Sequence, residues 1–325
     1  ILSDFMEVQI GIDLMGGDHS PLVVWQVLVD VLKSQSSTIP FAFTLFASEE
    51  IRKQIQEEFI SDLPQEKFPK IISAENFVAM EDSPLAAIRK KSSSMALGLD
   101  YLQEDKLDAF ISTGNTGALV TLARAKIPLF PAVSRPALLV CVPTMRGHAV
   151  ILDVGANISV KPEEMVGFAR MGLAYRQCLG DSKIPTIGLL NIGSEERKGT
   201  EAHRQTFRML RETFGEAFLG NIESGAVFDG AADIVVTDGF TGNIFLKTAE
   251  GVFEFLQRIL GDKLEADIQR RLDYTFYPGS VVCGLSKLVI KCHGKACGSS
   301  LFHGILGSIN LAQARLCKRI LSNLI

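Results

Sequence analysis

Short apolar runs rich in β-branched residues recur along the chain, and a longer stretch of helical period follows most of them. That alternation constrains the fold more than any other feature, because it confines the chain to an α/β architecture. The expected fold is a Rossmann-like, mostly parallel sheet with helices on both faces. The apolar runs predict strands over 8–13, 41–47, 70–73, 109–112, 137–142, 149–153, 186–191 and 234–237. Helical period predicts helices over 21–33, 49–59, 92–104, 116–125, 162–179, 201–214 and 243–260, and a last one over 299–324. A hydrophobic content of 47% supplies ample core material, and no Pro/Ser-rich linker divides the 325 residues. The expectation is therefore one compact unit, 1–325, with the irregular stretch 261–295 as a candidate flap.

Five of the strands run into polar, glycine-bearing turns: Asp13-Leu-Met-Gly-Gly-Asp, Ser112-Thr-Gly-Asn-Thr-Gly117, Asp153-Val-Gly-Ala-Asn157, Asn191-Ile-Gly-Ser194 and Asp238-Gly-Phe-Thr-Gly-Asn243. In open α/β sheets, ligands bind outside the carboxyl ends of the strands, so these turns point to one long cleft on that edge. A net charge of −4 argues against a nucleic-acid surface. The six cysteines are scattered; Cys292 and Cys297 are close, but not at a CxxC spacing, which disfavours zinc. None of the five histidines sits in HExxH, and no GxSxG elbow marks a serine hydrolase. No run approaches the roughly 18 apolar residues of a membrane span. Residues 1–7 have neither the basic start nor the apolar core of a signal peptide, so the cytoplasm is the expected compartment.

Ser112 to Gly117 is the strongest local signal. Gly114 and Gly117 let the backbone turn tightly, while the helix beginning there aims unpaired N–H groups and its positive dipole end outward. Ser112, Thr113, Asn115 and Thr116 add side-chain donors, so the turn reads as a phosphate cradle or, equally, as a simple N-cap. The run from Glu195 to Lys198 reads first as a solvated charged face, yet at a strand-end rim Lys198 could neutralise a phosphate or an oxyanion. Asp153 with Asn157, and Asp238 with Asn243, could orient a nucleophile or donate to a thioester oxygen; capping helices is the plainer role for the two aspartates. The 244–260 helix is apolar over a wide arc, as a core and dimer-interface helix or as the wall of an acyl-chain groove.

Taken in order, these turns resemble the PlsX family of phosphate acyltransferases. The matching features include Asp13-Leu-Met-Gly-Gly-Asp-His-Ser-Pro21, Ser112-Thr-Gly-Asn-Thr-Gly-Ala118, Arg135-Pro-Ala-Leu138, Asp153-Val-Gly-Ala-Asn157 with Lys161-Pro-Glu163, Asn191-Ile-Gly193 with Lys198-Gly199, and Thr237-Asp-Gly-Phe-Thr-Gly-Asn243. The resemblance implies a fold related to isopropylmalate dehydrogenases and phosphotransacetylases. It also implies transfer of a fatty acyl group from acyl carrier protein to inorganic phosphate, giving acyl phosphate for phospholipid synthesis. The implied partners are acyl carrier protein, phosphate, a second copy in a homodimer and a downstream glycerol-3-phosphate acyltransferase. Weak association with the inner face of the plasma membrane is implied as well, and no cofactor, metal or nucleotide is. Phosphate is itself an oxyanion at neutral pH, so positioning and oxyanion donors suffice. On this basis Lys198, Asn191 and Asn243 are the catalytic candidates. Ser112, Gly114, Asn115, Thr116, Gly117, Asp153, Asn157 and Asp238 are the candidates for phosphate and substrate binding. Thr113, Ser159, Thr200 and Pro278 depart from the family's usual residues, and the part beyond Gly261 matches least. The rivals are a phosphotransacetylase using acyl-CoA and a non-catalytic acyl-lipid-binding membrane scaffold. A dehydrogenase relative is disfavoured, because no GxGxxG with a downstream acid is present.

Overall fold

A computed structural model describes residues 7–34, 40–131, 133–179, 184–261, 279–294 and 298–324. The first stretch forms β1 (Val8–Asp13), α1 (Pro21–Lys33), β2 (Phe41–Ser48), α2 (Glu49–Glu58), β3 (Lys70–Ala74), α3 (Pro84–Arg89), α4 (Ser94–Gln103), β4 (Ala109–Ser112) and α5 (Thr116–Lys126). The middle of the chain adds β5 (Ala137–Thr144), β6 (Gly147–Leu152), α6 (Pro162–Cys178), β7 (Ile187–Leu190) and α7 (Glu201–Phe214). It continues through β8 (Phe218–Ile222), α8 (Ser224–Phe228), β9 (Ile234–Val236) and α9 (Gly239–Leu260). Last come β10 (Ser280–Cys283), β11 (Leu288–Lys291), α10 (Gly298–Gln313) and α11 (Leu316–Leu324).

Where the sequence shows no linker, contacts nonetheless divide the chain into two compact units. The first comprises Ile1–Pro128 with Tyr277–Cys317, and the second Leu129–Phe276 with Lys318–Ile325. No linker marks the division because the first unit is discontinuous, leaving after α5 and returning for β10 and β11. Of the flap expected over 261–295, residues 262–278 and 295 lie outside the described residues. Residues 280–291 form the β10–β11 pair.

In the first unit the strand order is β3-β2-β1-β4-β11-β10; all neighbours are parallel except β10 with β11. The run Val8 to Asp13 is almost wholly buried, as parallel strands covered on both faces require. Helices α1 and α10 pack together, and α4 lies against β1, β2 and β4. Ser20 and Pro21 start α1 by capping and by a preset φ. The buried rings of Phe46 and Phe110 meet edge-on, with centroids 6.0 Å apart.

In the second unit the order is β5-β6-β9-β7-β8, antiparallel only between β5 and β6. Helix α6 packs on β6, β9 and α7, while α8 meets β5 and α9 meets β6. Strand β8 escapes the sequence pattern because Gly220, at φ +100°, and Asn221 interrupt its apolar run. The helix expected over 299–324 is two helices, broken at Arg315 with φ +51°. Among the described residues no helix is long and apolar enough to cross a membrane.

Candidate functional site

At the carboxyl edge of the first unit, β1, β4 and β11 end on one rung. Asp13 stands opposite Ser112, and Ser112 opposite Lys291. All three are buried. The Ser112 hydroxyl donates to Asp13 Oδ2 at 2.8 Å, and Met15 N–H donates to Oδ1 at 3.1 Å. Burial pushes the Asp13 carboxyl above the usual range, with its donors pulling the other way. Thr113 Oγ1 donates to the Gly16 carbonyl at 2.8 Å, tying the β1 turn to the β4 turn. The two turns touch through backbone: a Cβ on Gly16 would lie 2.7 Å from Gly114 N, so no side chain fits there.

Asn115 caps α5. Its Oδ1 accepts from Ala118 N–H at 3.0 Å, and its Nδ2 donates to the carbonyls of Met80 (2.6 Å) and Asp82 (3.1 Å). The Asp82 carboxylate in turn receives Lys90 Nζ at 2.6 Å, which holds it below the usual carboxylate range. The side chains of Ser112 and Asn115 are thus committed within the protein. The capping role and the cradle role coexist: the side chains build the turn, and main-chain amides are what it offers to a ligand. The first intrahelical bond runs from Leu119 N–H to the Asn115 carbonyl, so the amides of Thr116 and Gly117 have no acceptor within α5. The half-exposed Thr116 adds a hydroxyl.

The second unit repeats the device after β6, β7 and β9. The buried Asp153 carboxylate organises the first turn. Its Oδ1 accepts from the N–H groups of Leu138 (2.9 Å), Gly155 (3.1 Å) and Ala156 (3.0 Å). Its Oδ2 accepts from Asn157 main chain (2.7 Å) and side chain (2.8 Å). Burial again pushes this carboxyl up against those donors. Asn157 Nδ2 also donates to the Pro136 carbonyl. Asp238 caps α9 through Thr241 N–H (2.8 Å) and Oγ1 (2.9 Å). A Cβ on Gly242 would collide with the Asp153 carbonyl oxygen, so α9 reaches the turn only because glycine stands there. The exposed Asn243 sits beside Gly155, at 3.6 Å from where a Cβ on that glycine would lie.

Asn191 closes the 191–199 loop. Its Nδ2 donates to the Lys198 carbonyl (3.2 Å) and to Asn221 Oδ1 (3.1 Å), and its Oδ1 accepts from Ile192 N–H. The Lys198 side chain is 45% exposed, with Glu195 Oε1 3.7 Å away. Thr200 caps α7, and its Oγ1 lies 2.8 Å from His203 Nδ1. Burial holds the His203 imidazole below its ordinary range, partly offset by the Asp238 carboxylate. Asn191, Thr200, His203, Thr241 and Glu250 are among the polar residues that line a cavity of about 1030 Å³, whose lining is otherwise mostly apolar. The apolar part includes Val142 and Leu190 from the strands, Phe228 from α8, and Phe245, Ala249, Val252, Phe253 and Leu256 along α9.

Three residues outside the sequence-based set belong to these clusters. Asn221 holds the 191–199 loop, His203 lines the cavity, and Lys291 stands on the Asp13–Ser112 rung. Only Lys291 carries a sequence signal, a cation ending the apolar run Leu288-Val-Ile-Lys291. The sequence-based residues fall into the two clusters described: Ser112 to Gly117 in the first unit, and Asp153, Asn157, Asn191, Lys198, Asp238 and Asn243 in the second.

A family model described as "Fatty acid synthesis protein" matches residues 8–319. A curated protein of Chlamydia caviae called "Phosphate acyltransferase" is 75% identical over 98% of this chain and all of its own length. One of Chlamydia trachomatis serovar A with the same name is 64% identical over 97% of both chains. The chain belongs to the PlsX family of phosphate acyltransferases. Membership makes it an enzyme that transfers an acyl group to phosphate. Solved structures agree with the α/β fold. A phosphotransacetylase from Streptococcus pyogenes superposes with a TM-score of 0.62 at 16% identity, covering 95% of this chain and 94% of that one. A branched-chain phosphotransacylase from Enterococcus faecalis gives a TM-score of 0.59 at 15% identity, covering 94% and 99%.

Proposed function

We propose that this PlsX-family enzyme takes a fatty acyl group from acyl carrier protein and passes it to inorganic phosphate. The observation that carries the long-chain donor is the mostly apolar cavity along α9, which Asn191, Thr200 and His203 also line. Its volume is at the upper end of the roughly 300–1,000 Å³ of small-ligand sites. An alkyl chain gains about 0.8 kcal/mol per methylene buried against such walls. For the acceptor, the main-chain amides of Thr116 and Gly117 at the start of α5 suit a phosphate.

A phosphate oxygen attacks the thioester carbonyl carbon, and the carbonyl electrons move to oxygen. The tetrahedral oxyanion then collapses, breaking the C–S bond. Acyl phosphate forms, and the thiolate leaves on the carrier and takes up a proton. Lys198 and Asn243 are proposed to stabilise the developing oxyanion, with Asn191 shaping the loop that carries Lys198. Acyl phosphate would serve a glycerol-3-phosphate acyltransferase in phospholipid synthesis. Phe255 and Ile259 are 61% and 62% exposed on α9 and do not line the cavity, which supports a second copy of the chain as their cover. Of the segment proposed for weak membrane contact, 262–277 lies outside the described residues.

The test is direct. Long-chain acyl carrier protein thioester and inorganic phosphate, without added metal or nucleotide, should give an acyl phosphate that hydroxylamine traps as a hydroxamate. Release of free CoA from short acyl-CoA, with no turnover of the carrier thioester, would replace this assignment by a phosphotransacetylase. Binding of acyl chains with no phosphate-dependent product would replace it by a lipid-binding scaffold.

A further inference from the structure

Strand β11 ends on a cation that a sheet interior does not call for. Lys291 follows Leu288, Val289 and Ile290 and is only 7% exposed. Burying an ammonium group costs several kcal/mol unless its N–H groups are met. Its Nζ donates to the Thr113 carbonyl at 3.2 Å and to the Cys292 carbonyl. Thr113 immediately precedes Gly114, so Lys291 grips the backbone of the turn that opens α5. The segment after β11 is fastened twice more: Cys292 N–H donates to the Ser112 carbonyl of that turn at 3.0 Å, and Asp18 N–H of the β1 turn donates to the Gly294 carbonyl at 2.9 Å.

We propose that Lys291 is a positioning residue for phosphate binding, resting on the assignment of Ser112 to Gly117 as the phosphate cradle. It holds the Thr113 carbonyl, whose negative end would otherwise be free to turn toward an incoming anion. It also fixes a positive charge on the Thr113 carbonyl, within the turn and three residues before the first amide that receives that anion. The nearest carboxyl on the rung, Asp13, is separated from it by Ser112.

Steady-state kinetics on the full chain, with inorganic phosphate varied at a fixed, saturating acyl donor, test this. Lys291→Met should raise the phosphate KM by about tenfold or more, the scale of one hydrogen bond to a charged group. The acyl-donor KM should stay within about twofold, a split that a merely structural role would not produce. Lys291→Arg, which keeps the charge, should recover part of the loss. Lys287→Met, which removes the nearby cation paired with Asp105, should leave both KM values alone. An unchanged phosphate KM in folded Lys291→Met, or both KM values rising together, would overturn the proposal. If Lys291→Met does not fold, Lys291→Gln keeps a donor for the carbonyls without the charge, and a wild-type phosphate KM there overturns it. Failure of both neutral variants to fold would make Lys291 a core fastening only and end the proposal. Gly117→Val separates this from the cradle assignment. A Cβ there lies 3.3 Å from Pro84 Cγ, a tight contact that Pro84 must yield to by a few tenths of an ångström, and an unchanged phosphate KM in the folded variant removes the cradle itself. A raised KM in Gly117→Val beside normal Lys291 variants removes only the lysine.

Discussion

The strand ends of β1, β4 and β11 and those of β6, β7 and β9 use the same local device for different ends. Each cluster has a buried aspartate at the head of its first turn, Asp13 in one and Asp153 in the other. In the first, three turns lock onto one another through main-chain bonds and through the hydroxyls of Ser112 and Thr113, which are thereby turned inward. What remains for a ligand is backbone amide, the half-exposed Thr116 hydroxyl and a nearby buried cation, a setting suited to a small anion. In the second, the turn after β7 borders a mostly apolar cavity, lined also by His203 and by the α9 face. That setting suits a chain with a polar head. Under the proposed function, a glycine turn at a strand end would set where a ligand binds, and the surface beyond the turn would set which ligand.

The sharpest way to break this contrast is to remove the carboxylate that organises the second cluster. Asp153→Ala leaves four backbone amides and the Asn157 side chain without their acceptor, and should cost about 3–5 kcal/mol in urea unfolding. A loss under about 1 kcal/mol would mean that the turn holds itself without Asp153. Next in size is Lys198→Ala, which should lower turnover by about 10²-fold, the scale of one oxyanion donor. Glu196→Ala, on the same charged run, should do little; equal small losses in both would take Lys198 out of the chemistry. Ala249→Phe, which fills part of the cavity, should raise KM for long acyl donors by about tenfold and spare both short donors and phosphate. A uniform effect across chain lengths would detach the cavity from acyl binding.

The smallest effect concerns His203. Burial puts its folded pKa below the ordinary value near 6.5, so the folded state binds the proton less readily than the unfolded chain. Its contribution to stability is therefore present above about pH 6.5 and lost as pH falls through the folded value. His203→Gln should flatten that acid-side slope in thermal unfolding measured across pH. An unchanged slope would mean that the half-buried ring is solvated in the folded protein.

Much of the architecture was legible in residue order, because its causes are short-ranged. Strands β1 and β4 and helices α1 and α7 have the bounds that the apolar runs and the helical period predict. The glycine turns were legible for the same reason, since Asp, Asn and Gly after an apolar run act on amides a few residues away. Strands β10 and β11 were not, being four residues each and held by partners distant in sequence. The division of labour between the clusters was not legible either. Whether Asn115 offers its amide to a ligand or to Met80 and Asp82 depends on a loop more than 30 residues away. Lys291 reaches Thr113 across a sequence separation of 178, through the pairing of β11 with β4. The cavity likewise gathers Val142, Leu190, His203 and Phe253 from four elements. Turns and caps are satisfied within a few residues, so the sequence determined them by itself. A buried cation or an apolar wall needs partners that only strand pairing and helix packing bring within reach, and the tertiary structure alone decided those.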